Sequence, residues 1–345
     1  MPQPSVNSVH LNAVLTNISV AFIQDASNFI ANQVFPVVPV DKKSDVYYVY
    51  NQNDWFRDEA QLRADSTPSA GSGYNLSRTA YTCDVYAFHK DIGDQTRANA
   101  DQPLNPDMEA TQFVTQRLLL RQEQQWMADF FTPTLTGTRY TGGSAGATSV
   151  WGTTLAGINL SEGSITPATE FIQWSDYTNG LPIVNIETAK YQILSQTGFE
   201  PNVLVLGYNV WQKLRNHPTV IDRYKYTSAG AYVTEQILAE LFEIDRVVVS
   251  RAVYSTTNEG NSTPAYAMSA GNNALLCYVA PNPGLLTPSA GYIFTWTGIS
   301  EGLGTTIAVS KFRMQELLSD RVEGQIAFAD QIVAPQMGYF FADAC

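Results

Sequence analysis

Between Trp55-Phe56 and Tyr81 the chain passes through a polar segment, 57–77, containing glycine and serine, with strand-like sequence on either side. Upstream, residues 46–50 are apolar and aromatic; downstream, Tyr81, Cys83, Val85, Ala87 and His89 alternate with other residues, which is the period of a strand. A connection of that length is far too long for a two-residue hairpin turn. The pattern predicts a long two-stranded projection. A lone ribbon of this kind is marginal in water, so something outside the chain's own core is expected to hold it.

The leading segment raises the same question. Residues 1–41 contain no Lys or Arg, and Leu15, Ile18, Phe22, Ile23, Phe29 and Ile30 are spaced loosely at helical intervals before Phe35-Pro36 and Pro39. Such an arm is too short to bury its own apolar side chains and must pack on the rest of the chain or on a neighbour. Both chain ends are expected to be docked.

The clearest helix is expected over 105–132. Asn105 can cap it, Pro106 suits the first helical position, and Asp107 and Glu109 place negative charge where the helix dipole favours it. Met108, Phe113, Leu119, Leu120, Trp126, Met127, Phe130 and Phe131 fall on one broad face, with Gln residues, Arg117 and Arg121 opposite, and Thr132-Pro133 ends the run.

Residues 134–180 are rich in Thr, Gly and Ser, with Tyr140, Trp151, Phe171 and Trp174 among them, and are assigned loops and short strands. A second helix runs from about Ile183 to Thr197, stopped by Gly198, and a buried strand follows at 203–206. A short helix at 210–215 is broken by His217-Pro218. Thr234 caps another, with Ile237, Leu238, Leu241 and Phe242 as its buried stripe. Residues 247–249, 275–279 and 293–296 supply core strands, and 305–341 reads as strands returning to the first half of the molecule. Strand and helix alternate as in a mixed α/β protein.

At 345 residues the chain can build a sizeable core, as two domains or one elaborated one. Charged residues make up 15%, against roughly 25% in ordinary soluble domains. That low charge points to surface buried against other chains. The formal net charge is −12, and no Lys/Arg cluster exists, so the chain lacks the means to grip a phosphate backbone. Cys83, Cys277 and Cys345 are far apart and fit reduced thiols rather than a disulfide framework or zinc site. The first basic residue is Lys42, so no signal-peptide n-region is present, and no apolar run approaches the length of a membrane span.

Several strings carry the outline of a chemical motif. Gly142-Gly143-Ser144-Ala145-Gly146 matches the G-x-S-x-G nucleophile pattern, with Asp176 and His217 downstream in hydrolase order. That pattern needs a strand running directly into a helix, whereas the string lies in Thr/Gly-rich sequence; a surface loop is the preferred reading. His10, His89 and His217 are isolated, which argues against a histidine metal site. His89 is expected at a strand end and His217 at a helix end. Gly71-Ser72-Gly73 and Gly302-Leu303-Gly304 fit neither dinucleotide nor phosphate-loop spacing and read as turns. Tyr and Trp, not interleaved with basic residues, suit protein interfaces better than nucleic-acid stacking.

The order of parts carries a resemblance. An amphipathic arm, "VFPVVPV", a long hairpin, a Pro-started long helix, then "TGFEPNVLVLGYNVWQKLRNHP" and "VTEQILAELFEIDRVVVSRAVY" together resemble the tailed-phage major capsid proteins of the Hong Kong 97 fold, over nearly the whole chain. The resemblance implies an α+β (mixed α/β) fold divided into an N-terminal arm (1–41), an extended loop (42–90), a peripheral domain (91–199) with its spine helix at 105–132, an axial domain (200–304), and C-terminal strands (305–345) returning to the peripheral domain. In that family axial domains meet around hexamer or pentamer axes, and the extended loop lies over a neighbouring subunit.

The same resemblance implies a non-enzymatic major capsid protein, without cofactor or metal, that self-assembles into hexamers and pentamers of an icosahedral head. It would enclose double-stranded DNA without sequence-specific binding; an acidic wall would keep the polymer from adhering. Its place would be the virion capsid, assembled in the bacterial host cytoplasm, with separate scaffolding, portal and decoration proteins as further partners and no membrane. Some relatives weld subunits through a loop lysine, but no Lys lies between Lys43 and Lys90, so non-covalent contacts are expected to suffice. There is also no long charged coiled-coil leader. Trp55, Phe56, Arg57, Asp58, Glu59, Arg63 and Asp65 are the inter-subunit contact candidates. Solvated surface charge, worth roughly 0–1 kcal/mol per pair, is the alternative for the five charged ones. The rival functions are an encapsulin-like compartment with enzyme cargo, and a hydrolase built on 142–146.

Overall fold

The computed structural model of the protein describes residues 23–100, 105–136, 146–148, 150–159, 166, 169–225, 233–284, 286–299 and 307–345. The arm positions Leu15, Ile18 and Phe22, His10, Tyr140, most of the 142–146 string, and 302–304 lie outside these residues.

In chain order, helix α1 (Ala31–Val34) leads into strand β1 (Val37–Val40). The projection follows: β2 (Ser44–Tyr50), a one-turn helix α2 (Gln52–Trp55), and β3 (Leu76–Thr82). Next come β4 (Asp84–Gly93), α3 (Asp94–Ala98) and the long helix α4 (Pro106–Trp126). Short strands β5 (Thr134–Thr136), β6 (Gly146–Thr148), β7 (Thr153–Ile158) and β8 (Glu170–Ile172) precede α5 (Pro182–Thr197). Then follow β9 (Val203–Gly207), α6 (Tyr208–Arg215), α7 (Pro218–Lys225), α8 (Glu235–Phe242), β10 (Arg246–Ser250), β11 (Val253–Ser255), β12 (Tyr266–Met268), β13 (Ala274–Cys277) and β14 (Gly291–Trp296). The chain closes with β15 (Ala308–Met314), β16 (Ser319–Ile332) and β17 (Gly338–Ala342).

Two larger sheets organise these parts. In the six-stranded sheet the order is β10-β9-β13-β17-β7-β8. Its central strands are buried on both faces, which explains their near-continuous apolar sequence. Val203, Val205, Leu275, Cys277 and Phe340 face the long helix, whereas Leu204, Leu206, Ala274, Leu276 and Phe341 lie under α5–α8. In the five-stranded sheet β16 is the hub. Along one edge it pairs with β4, from Ser319↔Gly93 to Phe328↔Asp84; along the other it pairs with β15 and then β14, which carries β1. One apolar cluster, including Val114, Leu118, Ile326 and Phe328, joins this sheet to the other.

Helix α4 starts as its sequence dictates: the Asn105 side chain accepts the N–H of Met108 at 3.3 Å, with Pro106 in the first turn. After Trp126 it widens into a π turn, Met127–Phe131, before Thr132. The buried face is rotated from the expected one. Ala110, Val114 and Leu118 face the sheet, Met108 is 55% exposed, Phe113 is exposed, and Leu119 and Leu120 are half-buried. The reason is close approach over Gly324, where a Cβ would meet Val114 at 2.6 Å and Leu118 at 2.7 Å. Phe113 instead serves as a surface platform, with Lys90 and Arg117 over its ring at 5.3 and 5.2 Å.

Other differences have equally local causes. The expected return strand from Tyr81 to His89 is two strands: β3 pairs with β2, and β4 leaves for β16. The break at Cys83 flips the alternation, so Tyr81 and Cys83 are buried but Val85, Ala87 and His89 point out while Tyr86 and Phe88 pack inward. His89 is consequently mid-strand. Pro39 does not end the arm: β1 pairs parallel with β14 through Pro39↔Thr295, and as an edge strand it tolerates proline. Pro218 opens α7 rather than only closing α6. The C-terminal strands divide, β15 and β16 going to the five-stranded sheet and β17 to the six-stranded one. Helix α5 and its cap follow expectation, with Gly198 at φ +75°.

Candidate assembly surface

The projection is built from both its ends. At the base, Tyr81 stacks on Phe294 with centroids 4.7 Å apart, Tyr47 leans on the same ring, and the Cys83 N–H donates to the Lys43 carbonyl at 2.8 Å. The base is therefore held by the chain's own core, contrary to the expectation of wholly external support. Between base and tip, β2 and β3 pair from Ser44↔Thr82 to Tyr50↔Leu76, with Val46, Tyr48 and Leu76 about half exposed.

At the tip the Asn51 side chain caps α2 by accepting the N–H of Asn53 at 3.2 Å. Asp54, its side chain 2% exposed, accepts the N–H of Asn75 at 2.8 Å and pairs with Arg57 at 3.2 Å. That carboxylate ties the outgoing turn to the returning strand. Tyr50, Trp55 and Tyr74 cluster with centroids 5.8–6.1 Å apart. Even so, Trp55 is 54% and Phe56 59% exposed. The tip leans on the end of α5: the Gln52 side-chain amide donates to the Gln196 carbonyl, and the Phe56 ring lies 3.8 Å from where a Cβ on Gly198 would sit.

Of the seven contact candidates, Arg57 bridges Asp54 and Glu59, at 3.2 and 3.6 Å, while Trp55 joins the Tyr50–Tyr74 cluster and Phe56 lies against Gly198. Asp58, Arg63 and Asp65 are exposed, and the Arg63 Nε donates to the Thr67 carbonyl at 2.6 Å.

Three polar features escaped the sequence reading. Glu123 is fully buried and accepts the N–H groups of Ile30 and Ala31 at 2.8 and 2.9 Å and the Ser250 hydroxyl at 3.2 Å. Burial pushes its carboxyl up to about 7. The signal available was a carboxylate next to the Ala110-Val114-Leu118-Gln122 row of a helix. Near the start of α4, Arg97 and Lys311 both engage Asp107 and Asp320, and Arg313 forms a bidentate pair with Asp94 at 2.5 and 2.6 Å. No spacing in the sequence marks that network. Finally, Asp330 on β16 lines a cleft of about 680 Å³ with Asp84 and Asp129. Its carboxyl oxygens are buried without a hydrogen-bond partner, and burial, then Asp129, push it up to about 8.

For the hydrolase rival, Ser144 lies outside the described residues. Asp176 is occupied locally by the N–H groups of Thr178 and Asn179 at 2.9 and 3.1 Å. His217 is buried, its Nδ1 2.7 Å from the Thr219 hydroxyl. Among the described residues no group of three or more His, Cys, Asp or Glu is placed to hold a metal, and no helix is long and apolar enough to cross a membrane.

A leading segment held to the long helix, a ribbon whose aromatic tip is seated on the end of α5, and two sheets sharing one core make up the described chain. No protein-family model matches the chain. It is 25% identical over 352 residues to the major capsid protein of Pseudomonas phage JBD67, covering 96% of each, and 26% identical over 247 residues to that of Burkholderia phage BcepMu, covering 71% of this chain and 70% of the other. Among solved structures it is similar to a phage-related protein from Bordetella bronchiseptica (TM-score 0.62, 20% identity, 92% and 93% covered) and to the capsid of Cyanophage P-SCSP1u (0.58, 12%, 99% and 95%). The fold is the Hong Kong 97-type capsid fold. In sequence, then, the chain is similar to phage major capsid proteins, and its fold is theirs.

Proposed function

We propose that the protein self-assembles into hexamers and pentamers of an icosahedral phage head enclosing double-stranded DNA, as a structural subunit without catalysis and without lysine crosslinks. Residues 1–41, 42–90, 91–199, 200–304 and 305–345 then act as arm, extended loop, peripheral domain, axial domain and returning strands. The observation that carries the reading is the ribbon tip, a preorganised aromatic cluster whose Trp55 and Phe56 stay more than half exposed in the single chain. Trp55, Phe56, Arg57, Asp58, Glu59, Arg63 and Asp65 are its contact residues. Each subunit offers different surfaces to different neighbours, and ring closure with curvature turns their repetition into a container. Scaffolding, portal and decoration proteins would be separate chains, and the net charge of −12 suits a wall that DNA does not stick to.

The test is deletion of residues 57–76, joined by a short turn. A folded subunit that fails to form stable shells supports the reading; normal particles by electron microscopy reject it. Mass spectrometry of purified particles distinguishes the encapsulin-like alternative, which would carry an enzyme in place of DNA.

A further inference from the structure

The sequence holds no run of Lys and Arg, but the fold gathers a cluster. Phe113, Arg117 and Arg121 fall on one row of α4 at intervals of four residues, about 6 Å of helix axis each. Strand β4 lies beside this row. Its Phe88 ring packs on Phe113 with centroids 5.8 Å apart, and Tyr86 and Lys90 stand two residues to either side of Phe88. The Lys90 ammonium and the Arg117 guanidinium both sit over the Phe113 ring, and the Arg121 guanidinium sits over the Tyr86 ring at 4.7 Å. Arg117 and Arg121 are exposed and Lys90 is half-buried. The ion pairs among the described residues all use other cations. Asp129 is kept at one remove, because Gln125 accepts from Arg121 at 2.7 Å and donates to Asp129 at 3.0 Å. In a chain with 32 acidic against 20 basic residues, three neighbouring cations thus rest on rings instead of carboxylates.

We infer that this ridge of Lys90, Arg117 and Arg121 is a contact site for the phosphate backbone of double-stranded DNA. The inference rests on the reading that the shell encloses DNA, and it adds where the polymer touches the subunit. Two features choose the occupant. A row of cations along a helix axis answers a linear polyanion, whose charge is continuous and demands no shaped pocket. A protein partner would need a desolvated apolar core in the contact. The ridge offers little of that: Phe113 is 37% exposed with two cations over its ring, and Tyr86 and Phe88 are half-buried. Because the chain's own cations lie over these rings, the aromatics serve to position charge rather than to stack bases, and the contact carries no sequence preference. The chain as a whole, at net −12, repels the polymer. The ridge is a local foothold in a wall that otherwise holds DNA off, and repetition over many subunits multiplies a weak contact.

The experiment titrates the full chain with a fluorescent DNA duplex at a series of low salt concentrations, read by anisotropy. Weak binding is expected, with log K falling against log salt at a slope of about −2.7, the value for three phosphate contacts. Arg117→Gln or Arg121→Gln alone should reduce the magnitude of that slope by about 1. Lys90→Gln, Arg117→Gln and Arg121→Gln together should abolish binding while the circular dichroism spectrum is kept. A control triple at exposed positions elsewhere, Lys43→Gln, Arg78→Gln and Lys225→Gln, changes the net charge equally and should bind with the slope unchanged. No binding by the wild-type chain, or equal loss in both triples, overturns the inference. So does a polyglutamate peptide that binds the ridge where duplex does not, since the partner would then be an acidic protein segment. Assembly is scored separately by electron microscopy. A wild-type chain that binds duplex yet forms no particles sinks the assembly reading alone; one that forms particles yet ignores duplex sinks this inference alone.

Discussion

Glu123, in the interior of α4, accepts the backbone N–H of Ile30 at 2.8 Å, although 93 positions separate the two residues along the chain. The same oxygen takes the N–H of Ala31, so a buried carboxylate satisfies the free donors at the start of α1. Replacing Glu123 by Ala leaves those donors and the Ser250 hydroxyl without their acceptor, at a cost of about 3 kcal/mol. Chemical denaturation should register that loss, and limited proteolysis should find new cleavage within 23–36. Glu123→Gln keeps one acceptor oxygen and should fall between the two.

The pH response follows from the raised carboxyls. Asp330 keeps its proton up to about 8 in the folded chain, against 3.8 ordinarily, and Glu123 up to about 7 against 4.5. Between those values the unfolded chain has released protons that the folded chain still holds. Their contribution is therefore fully present below the ordinary values, declines as pH rises, and levels off above about 8. Asp91, Asp94, Asp107 and Asp320 act oppositely: their partners hold them below the usual range, so their contribution is lost as pH falls through it. Denaturation midpoints measured from pH 5 to 9 should fall with rising pH. Asp330→Asn should flatten that slope; an unchanged slope would refute the assignment.

Gly338 has no room for a side chain. A Cβ there would lie 2.2 Å from the Trp151 ring, which is fixed by donation from its Nε1 to the Phe130 carbonyl at 2.7 Å. Gly338→Ala should destabilise the chain by about 1–3 kcal/mol, read as a shift in denaturant midpoint with unchanged slope.

At the ribbon tip, stability and assembly should separate. Trp55→Ala removes an exposed ring and should change subunit stability by about 0.5 kcal/mol or less, while particle yield by sedimentation falls. Replacing Arg57 and Arg63 together by Ala tests the charged candidates. Unchanged particle stability would mean that those side chains are merely solvated.

How much of this was legible depended on whether the cause was local. Asn105-Pro106 and Gly198 fix helix ends within one turn of chain, and the structure follows them. The buried face of α4 is not legible in the sequence, because residue size argues for Met108 and Phe113, whereas the deciding contact is Gly324, more than 200 positions away. Cys83 carries no sign in sequence that strand partners change there, because β16 supplies the new partner from the far end of the chain. The cationic ridge is hidden for a related reason: Lys90 stands apart from Arg117 in the sequence, and only packing sets both over one ring. The ribbon, by contrast, announced itself through a long polar stretch between two strands.

The passage of β3 into β4 at Cys83 has a mechanical consequence. A pull applied at the ribbon runs along β4, which lies antiparallel to β16 from Asp84↔Phe328 to Gly93↔Ser319. Force along that line loads the hydrogen bonds side by side in shear, so they resist as a group, whereas a perpendicular pull would open them one at a time like a zipper. The subunit is thus toughest in the direction in which its projection is tugged.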